Sequence, residues 1–246
     1  MTEALSVFAA ALATALATGL GALPLAFLAH RAHGWLGASN AAAAGCMVAA
    51  SGLLFYEGGR EDVVQTLVGA LAGIAFIALA ARVLAARPHV HFEALASADA
   101  RKALLIVGVM TLHSTAEGVG VGVSFGGGES LGLATAIAIA MHNIPEGLAI
   151  SLVLVPRGVT VSRAAGWSVF SSLPQPLLAL PAFASVAAFA GLLPAGLGFA
   201  GGAMVWMVAA EVVPDALRGA SVRTVLVSGA AATAALVVLQ ALLLSA

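Results

Sequence analysis

Apolar residues run along this chain in blocks of twenty or more, broken at short intervals by segments rich in charge, proline or glycine. An α-helix rises about 1.5 Å per residue, so about 20 apolar residues cross a hydrocarbon layer about 30 Å thick. Eight such blocks are read, at roughly 4–29, 35–57, 63–86, 102–126, 131–155, 164–190, 193–217 and 223–245. Only helices and closed barrels satisfy their backbone groups inside lipid, and blocks this long and Ala/Leu-rich are helical. The expectation is an all-α, polytopic membrane protein with eight transmembrane helices in one domain spanning 1–246. The first block lacks a basic n-region and is too long for a signal-peptide core, so it is counted as a span. The longest connection, about 87–101, alone has the composition of a soluble loop.

Composition supports the pattern. The 246 residues are 61% hydrophobic and 9% charged, where a soluble domain carries about 25% charged residues. A net charge of −1 leaves no basic surface for nucleic acid, so the expected partners are membrane lipid and small ions. Cys46, the single cysteine, excludes an intramolecular disulfide. Basic residues set the orientation. Arg31, Arg82, Arg87, Arg101, Lys102, Arg157, Arg163, Arg218 and Arg223 all flank one set of alternate loops, against Arg60 on the other side. The positive side is cytoplasmic, which puts both termini outside, as in a bacterial inner-membrane protein.

Inside two of these blocks lie residues that hydrocarbon does not tolerate freely. HSTAEG at 113–118 and HNIPEG at 142–147 share the form His-x-x-x-Glu-Gly. A spacing of four returns to the same helix face, so His113 shares a face with Glu117 and His142 with Glu146. His113 falls about eleven residues into its span, about 16 Å deep, near mid-bilayer. A carboxylate at a helix centre costs about 2.5–3.5 kcal/mol on insertion scales. A lipid-phase hydrogen bond returns only about 0.6 kcal/mol. No Lys or Arg lies close enough to compensate, so a divalent cation is the partner expected. Two imidazoles and two carboxylates suit Zn²⁺, and also Cd²⁺, Fe²⁺ or Mn²⁺.

Further polar residues surround the four. Ser114 and Asn143 follow the two histidines, Gln175 sits among Pro174, Pro176 and Pro181, and Glu211 lies deep in the seventh span. Ser114, Asn143, Gln175 and Glu211 are candidate secondary-metal or pathway residues. His30, His33, His89 and His91 in the expected cytoplasmic loops are candidates for weak metal handling. The two motif-bearing spans run in opposite directions, and AAGCMV at 43–48 echoes AGGAMV at 200–205 in the oppositely directed second and seventh spans. A 3+2+3 inverted repeat with a midplane site is the transporter design this pattern fits.

At these residues the chain resembles the ZIP family of zinc- and iron-permease-like metal transporters, in particular its GufA-type branch. HNIPEGLAI at 142–150 and HSTAEGVGVGVSF at 113–125 carry the resemblance, which extends over essentially the whole chain. It implies transport of divalent metal into the cytosol, with His113, Glu117, His142 and Glu146 holding the primary ion. Family members with two ions often carry Asn after the first His and Glu in the sixth span. Ser114 and Gln175 depart from that pattern, and one well-occupied ion is expected. Efflux or metal/proton exchange would use the same residues. An intramembrane metallohydrolase would need a signature such as H-E-x-x-H, which is absent, so an enzyme is not expected. No P-loop string is present for ATP-driven pumping. Small-residue helix faces permit a homodimer.

Overall fold

The computed structural model describes residues 2–28, 36–85 and 97–245. His30, His33, His89 and His91 lie outside the described residues. No strand occurs among the described residues; they form helices α1 (Thr2–Leu20), α2 (Leu23–Leu28), α3 (Leu36–Glu61), α4 (Val63–Ala85), α5 (Ser97–Gly126) and α6 (Glu129–Leu154), then α7 (Val161–Ser172), α8 (Pro174–Ala188), α9 (Leu193–Met207), α10 (Val213–Gly219) and α11 (Val222–Ser245).

Several expected spans are interrupted, each at an identifiable residue. The first block breaks at Gly21 and Ala22, between α1 and α2, where the amide of Gly21 donates to the Thr18 carbonyl in a tight turn. The sixth is divided into α7 and α8 at Leu173, because Pro174 has no amide hydrogen with which to continue the helix. The seventh passes from α9 into α10 through a π-helical turn, Val208–Val212. By contrast α6 runs unbroken through Pro145.

Seven helical stretches among the described residues are long and apolar enough to cross a bilayer. The protein is an all-α polytopic membrane protein. The helix bearing the first motif, α5, is not one of these seven. It lies instead against α6, α8 and α9, with Ala116, Glu117, Val121 and Ser124 fully buried.

Helix packing divides the bundle into two groups. In one, α4 lies along α9 and α11 along α3, and α3 meets α9. In the other, α5 lies along α8 and α1 along α6, and α5 meets α6. Contacts of α3 with α6 and of α5 with α9 join the groups. The outer faces of α4 and α11 remain apolar and exposed, as at Leu67, Leu71, Leu226 and Leu242. In water such faces would aggregate; in lipid they are the solvated surface.

Candidate metal centre

The i, i+4 spacing does locally what the sequence suggests: α5 presents His113 and Glu117 to α6, which presents His142 and Glu146 back. One ligand atom from each of the four side chains lies within 4.8 Å of all the others, and all four residues are buried. Contraction of about 1 Å would let one cation touch every member at zinc-ligand distances of about 2.0–2.2 Å. His113 Nε2 is 3.1 Å from Glu117 Oε1. His142 Nε2 contacts the same oxygen, and the two rings are 6.3 Å apart.

The hydrogen bonds around the cluster indicate which atoms carry free electron pairs. His142 Nδ1 is 3.1 Å from the Ala138 carbonyl, one turn back on α6. A carbonyl only accepts, so Nδ1 carries the hydrogen and Nε2 of the neutral ring turns a lone pair toward Glu117. An imidazolium at His142 would satisfy that one contact. It would still leave Glu146 Oε1 and both ring nitrogens of His113 buried without a hydrogen-bond partner. Orphaned buried polar atoms on two facing side chains, His113 and Glu146, mark a place for a ligand. A cation would take up Glu146 Oε1 and one His113 nitrogen at once.

Behind Glu117 lies a second polar layer that sequence reasoning located only in part. Gln175 Nε2, on α8, donates to Glu117 Oε2 at 2.6 Å. Asn143 Nδ2 donates to the Thr14 carbonyl at 2.7 Å and to Gln175 Oε1 at 3.2 Å. Thr14 Oγ1 reaches Gln175 Oε1 at 2.5 Å, and Thr18 Oγ1 is 2.8 Å from Ser172 Oγ. Gln175 thus presents an N–H group, not an oxygen, to Glu117, while Asn143 Oδ1 is buried without a hydrogen-bond partner. Ser114 Oγ is buried and has no hydrogen-bond partner. Thr14 and Thr18, both on α1, had no distinguishing signal in an Ala-rich helix.

The glycines that close each motif also gain a reason. A Cβ on Gly118 would lie 2.7 Å from the Gln175 carbonyl oxygen of α8, and one on Gly147 would lie 1.7 Å from the Thr18 carbonyl oxygen of α1. Each motif glycine therefore lets a neighbouring backbone press against its glutamate-bearing helix.

A cavity of about 470 Å³ leads away from the cluster. His113, His142 and Glu146 line its inner end, and Val153, Asp215 and Arg218 its far end. Glu211 lines it between these, displaced by the π-helical turn, a local widening of the helix common at functional positions. Asp215 pairs with Arg218 at the far end. On the opposite side of the cluster the bundle is packed solid, with Val121, Phe125, Leu131, Ile139, Leu197 and Met204 in one buried apolar core.

Comparison with known proteins agrees with this geometry. The family model described as "ZIP Zinc transporter" matches residues 86–239. A protein of Arabidopsis thaliana, provisionally named as a zinc transporter, is 48% identical over 213 residues, covering 85% of this chain and 34% of the relative. The chain thus spans about a third of the length of that relative. The zinc transporter GufA of Myxococcus xanthus is 35% identical over 226 residues, covering 85% of this chain and 88% of the relative. The zinc transporter ZupT of Corynebacterium aurimucosum is 29% identical over 191 residues, covering 65% and 63%.

Proposed function

The chain belongs to the ZIP zinc transporter family, and on that premise we propose that it carries Zn²⁺ into the cytosol, one ion per site, held by His113, Glu117, His142 and Glu146. The observation that carries the reading is the convergence of four buried ligand atoms within 4.8 Å, with His113 and Glu146 holding buried atoms that have no hydrogen-bond partner. Nitrogen and oxygen donors without thiolate favour an ion that enters and leaves over one that is retained. The same donor set admits Cd²⁺, Fe²⁺ and Mn²⁺.

The cavity bears on which side the site opens to. Its far end lies at the helix ends bearing Arg218 and, beyond Val153, Arg157, the side rich in Lys and Arg. The apolar core closes the other side. This is the arrangement of a site open to the cytoplasm, with Glu211 along the way out and both termini on the far side of a bacterial inner membrane. We read α5 as an eighth span.

An inverted repeat is supported by how helices choose partners. Exchange α1, α3 and α4 with α8, α9 and α11, and α5 with α6. The pairing α4–α9 then becomes α11–α3, α5–α8 becomes α6–α1, and α3–α6 becomes α9–α5, all of which occur. The motif glycines obey the same exchange, Gly118 against α8 and Gly147 against α1.

A single ion is supported by Gln175. Its N–H occupies Glu117 Oε2, the oxygen through which Glu117 would bridge to a second cation. Purified protein in liposomes is expected to take up Zn²⁺ down its gradient, and His142→Ala or Glu146→Ala to abolish most of the flux. Normal flux in both variants refutes the site. Vesicles loaded with metal, with the Arg218 end facing in or out, separate uptake from efflux.

A further inference from the structure

The Gln175 amide has two possible orientations, and only one is compatible with its neighbours. The Thr14 carbonyl can only accept, so the Asn143 side chain must turn Nδ2 toward it. That same nitrogen faces the Gln175 side chain, which must therefore offer Oε1. Thr14 Oγ1 lies 2.5 Å from this oxygen and 2.7 Å from the Ala11 carbonyl one turn back on α1, and shares its single hydrogen between the two acceptors. With Oε1 held, Nε2 is left pointing at Glu117 Oε2. All four side chains are nine-tenths or more buried, Thr14 at 1% exposure and the other three at 0%. Water does not compete for these bonds.

From this chain of donors and acceptors we infer that Thr14 is a positioning residue for the Glu117 carboxylate, its hydroxyl acting directly on Gln175 and its backbone carbonyl acting through Asn143. The inference rests on the reading of the four-residue cluster as the transport site. The relay crosses four helices in the order α1, α6, α8 and α5, and sets which Glu117 oxygen faces the histidines. Glu117 Oε2 is tied back by Gln175 while Oε1 is left to His113 and His142. A carboxylate fixed in this way meets the ion with one oxygen and without rotating. Preorganisation of this kind lowers the ordering cost of binding. Remove the Thr14 hydroxyl and Gln175 Oε1 loses its shortest bond, so the amide and then Glu117 gain freedom.

Zn²⁺ uptake by the full chain in liposomes tests the relay. Thr14→Val is nearly isosteric and removes the hydroxyl. It is expected to raise KM about fivefold, one net hydrogen bond of about 1 kcal/mol, with maximal flux per folded transporter kept within about twofold. Thr14→Ser restores the hydroxyl and returns KM to near the wild-type value. Gln175→Met breaks the relay at its last link and raises KM by at least as much. Because Thr14 acts through Gln175, adding Thr14→Val to Gln175→Met produces no further change. Melting temperatures in detergent confirm that each variant is folded, and the Gln175→Met background keeps the test alive should Thr14→Val alone be unstable.

Unchanged KM in Thr14→Val overturns the relay. So does a Thr14→Ser variant as impaired as Thr14→Val, or additive effects in the double variant. His142→Ala run in parallel separates the two levels. If it abolishes uptake while Thr14→Val is normal, the relay alone falls; if it transports normally, the metal-site reading falls and takes the relay with it.

Discussion

Gly147→Ala is a one-carbon change that leaves all four proposed metal ligands in place, yet it should disable the site from behind. The added Cβ would lie 1.7 Å from the Thr18 carbonyl oxygen, where real contacts essentially never fall below 3.0 Å. The obstruction is backbone, which cannot rotate away, so α1 must retreat by the difference, at least 1.3 Å. Thr14 lies one helical turn before Thr18 on the same face of α1. A retreat of that size carries the 2.7 Å bond from Asn143 Nδ2 to the Thr14 carbonyl beyond the ~3.2 Å limit for N–H···O bonds. Overpacking costs about 1–3 kcal/mol, offset in part by the ~1 kcal/mol that alanine gains over glycine within a helix. The expected result is a lower melting temperature in detergent and a Zn²⁺ KM raised at least as far as in Thr14→Val. Gly166→Ala on α7 is the matched control, since a Cβ there meets nothing within 4 Å. It should be neutral or stabilising and transport normally. A Gly147→Ala protein as stable and as avid for Zn²⁺ as the wild type would refute the close approach of α1 to α6.

Gln175→Glu exchanges the N–H that ties back Glu117 Oε2 for a carboxylate beside it. Zinc bound per chain, measured by elemental analysis after equilibration, should rise from one toward two; a wild-type protein that already holds two ions, or a variant that stays at one, removes the single-ion reading. Cavity access is checked by labelling in a Cys46→Ser background. Val153→Cys, at the far end of the cavity, should react with a membrane-impermeant maleimide from the cytoplasmic face. Phe125→Cys, inside the apolar core, should react from neither face. Labelling of Val153→Cys only from outside would invert the topology.

Local chemistry was readable from the sequence, and relations between distant helices were not. His113 with Glu117 and His142 with Glu146 are four apart on single helices, so their shared faces follow from helical geometry alone. That the two faces meet needed only the premise that buried acids seek a common partner, and the structure brings all four ligand atoms together. Gln175 was also visible, as an amide among prolines near mid-span. Its role was not, because it depends on which of its two ends faces Glu117. That choice is made by the Thr14 carbonyl, 129 positions from Asn143 in the chain, and a backbone acceptor has no signature in any side chain. The helix breaks divide along the same line. Pro174 ends α7 through its own missing hydrogen, whereas Pro145 stands inside a continuous α6 whose flanks are clamped by α1, α3 and α5. A proline's local penalty of about 3 kcal/mol is the same in both places; what differs is the packing around it. The motif glycines combine both kinds of information. Their repetition after Glu117 and Glu146 was plain in the sequence, but only the backbones of α8 and α1 pressed against them show why no side chain fits there. In this fold the residues proposed to touch the ion can be read along a helix, and those that hold them still must be read across it.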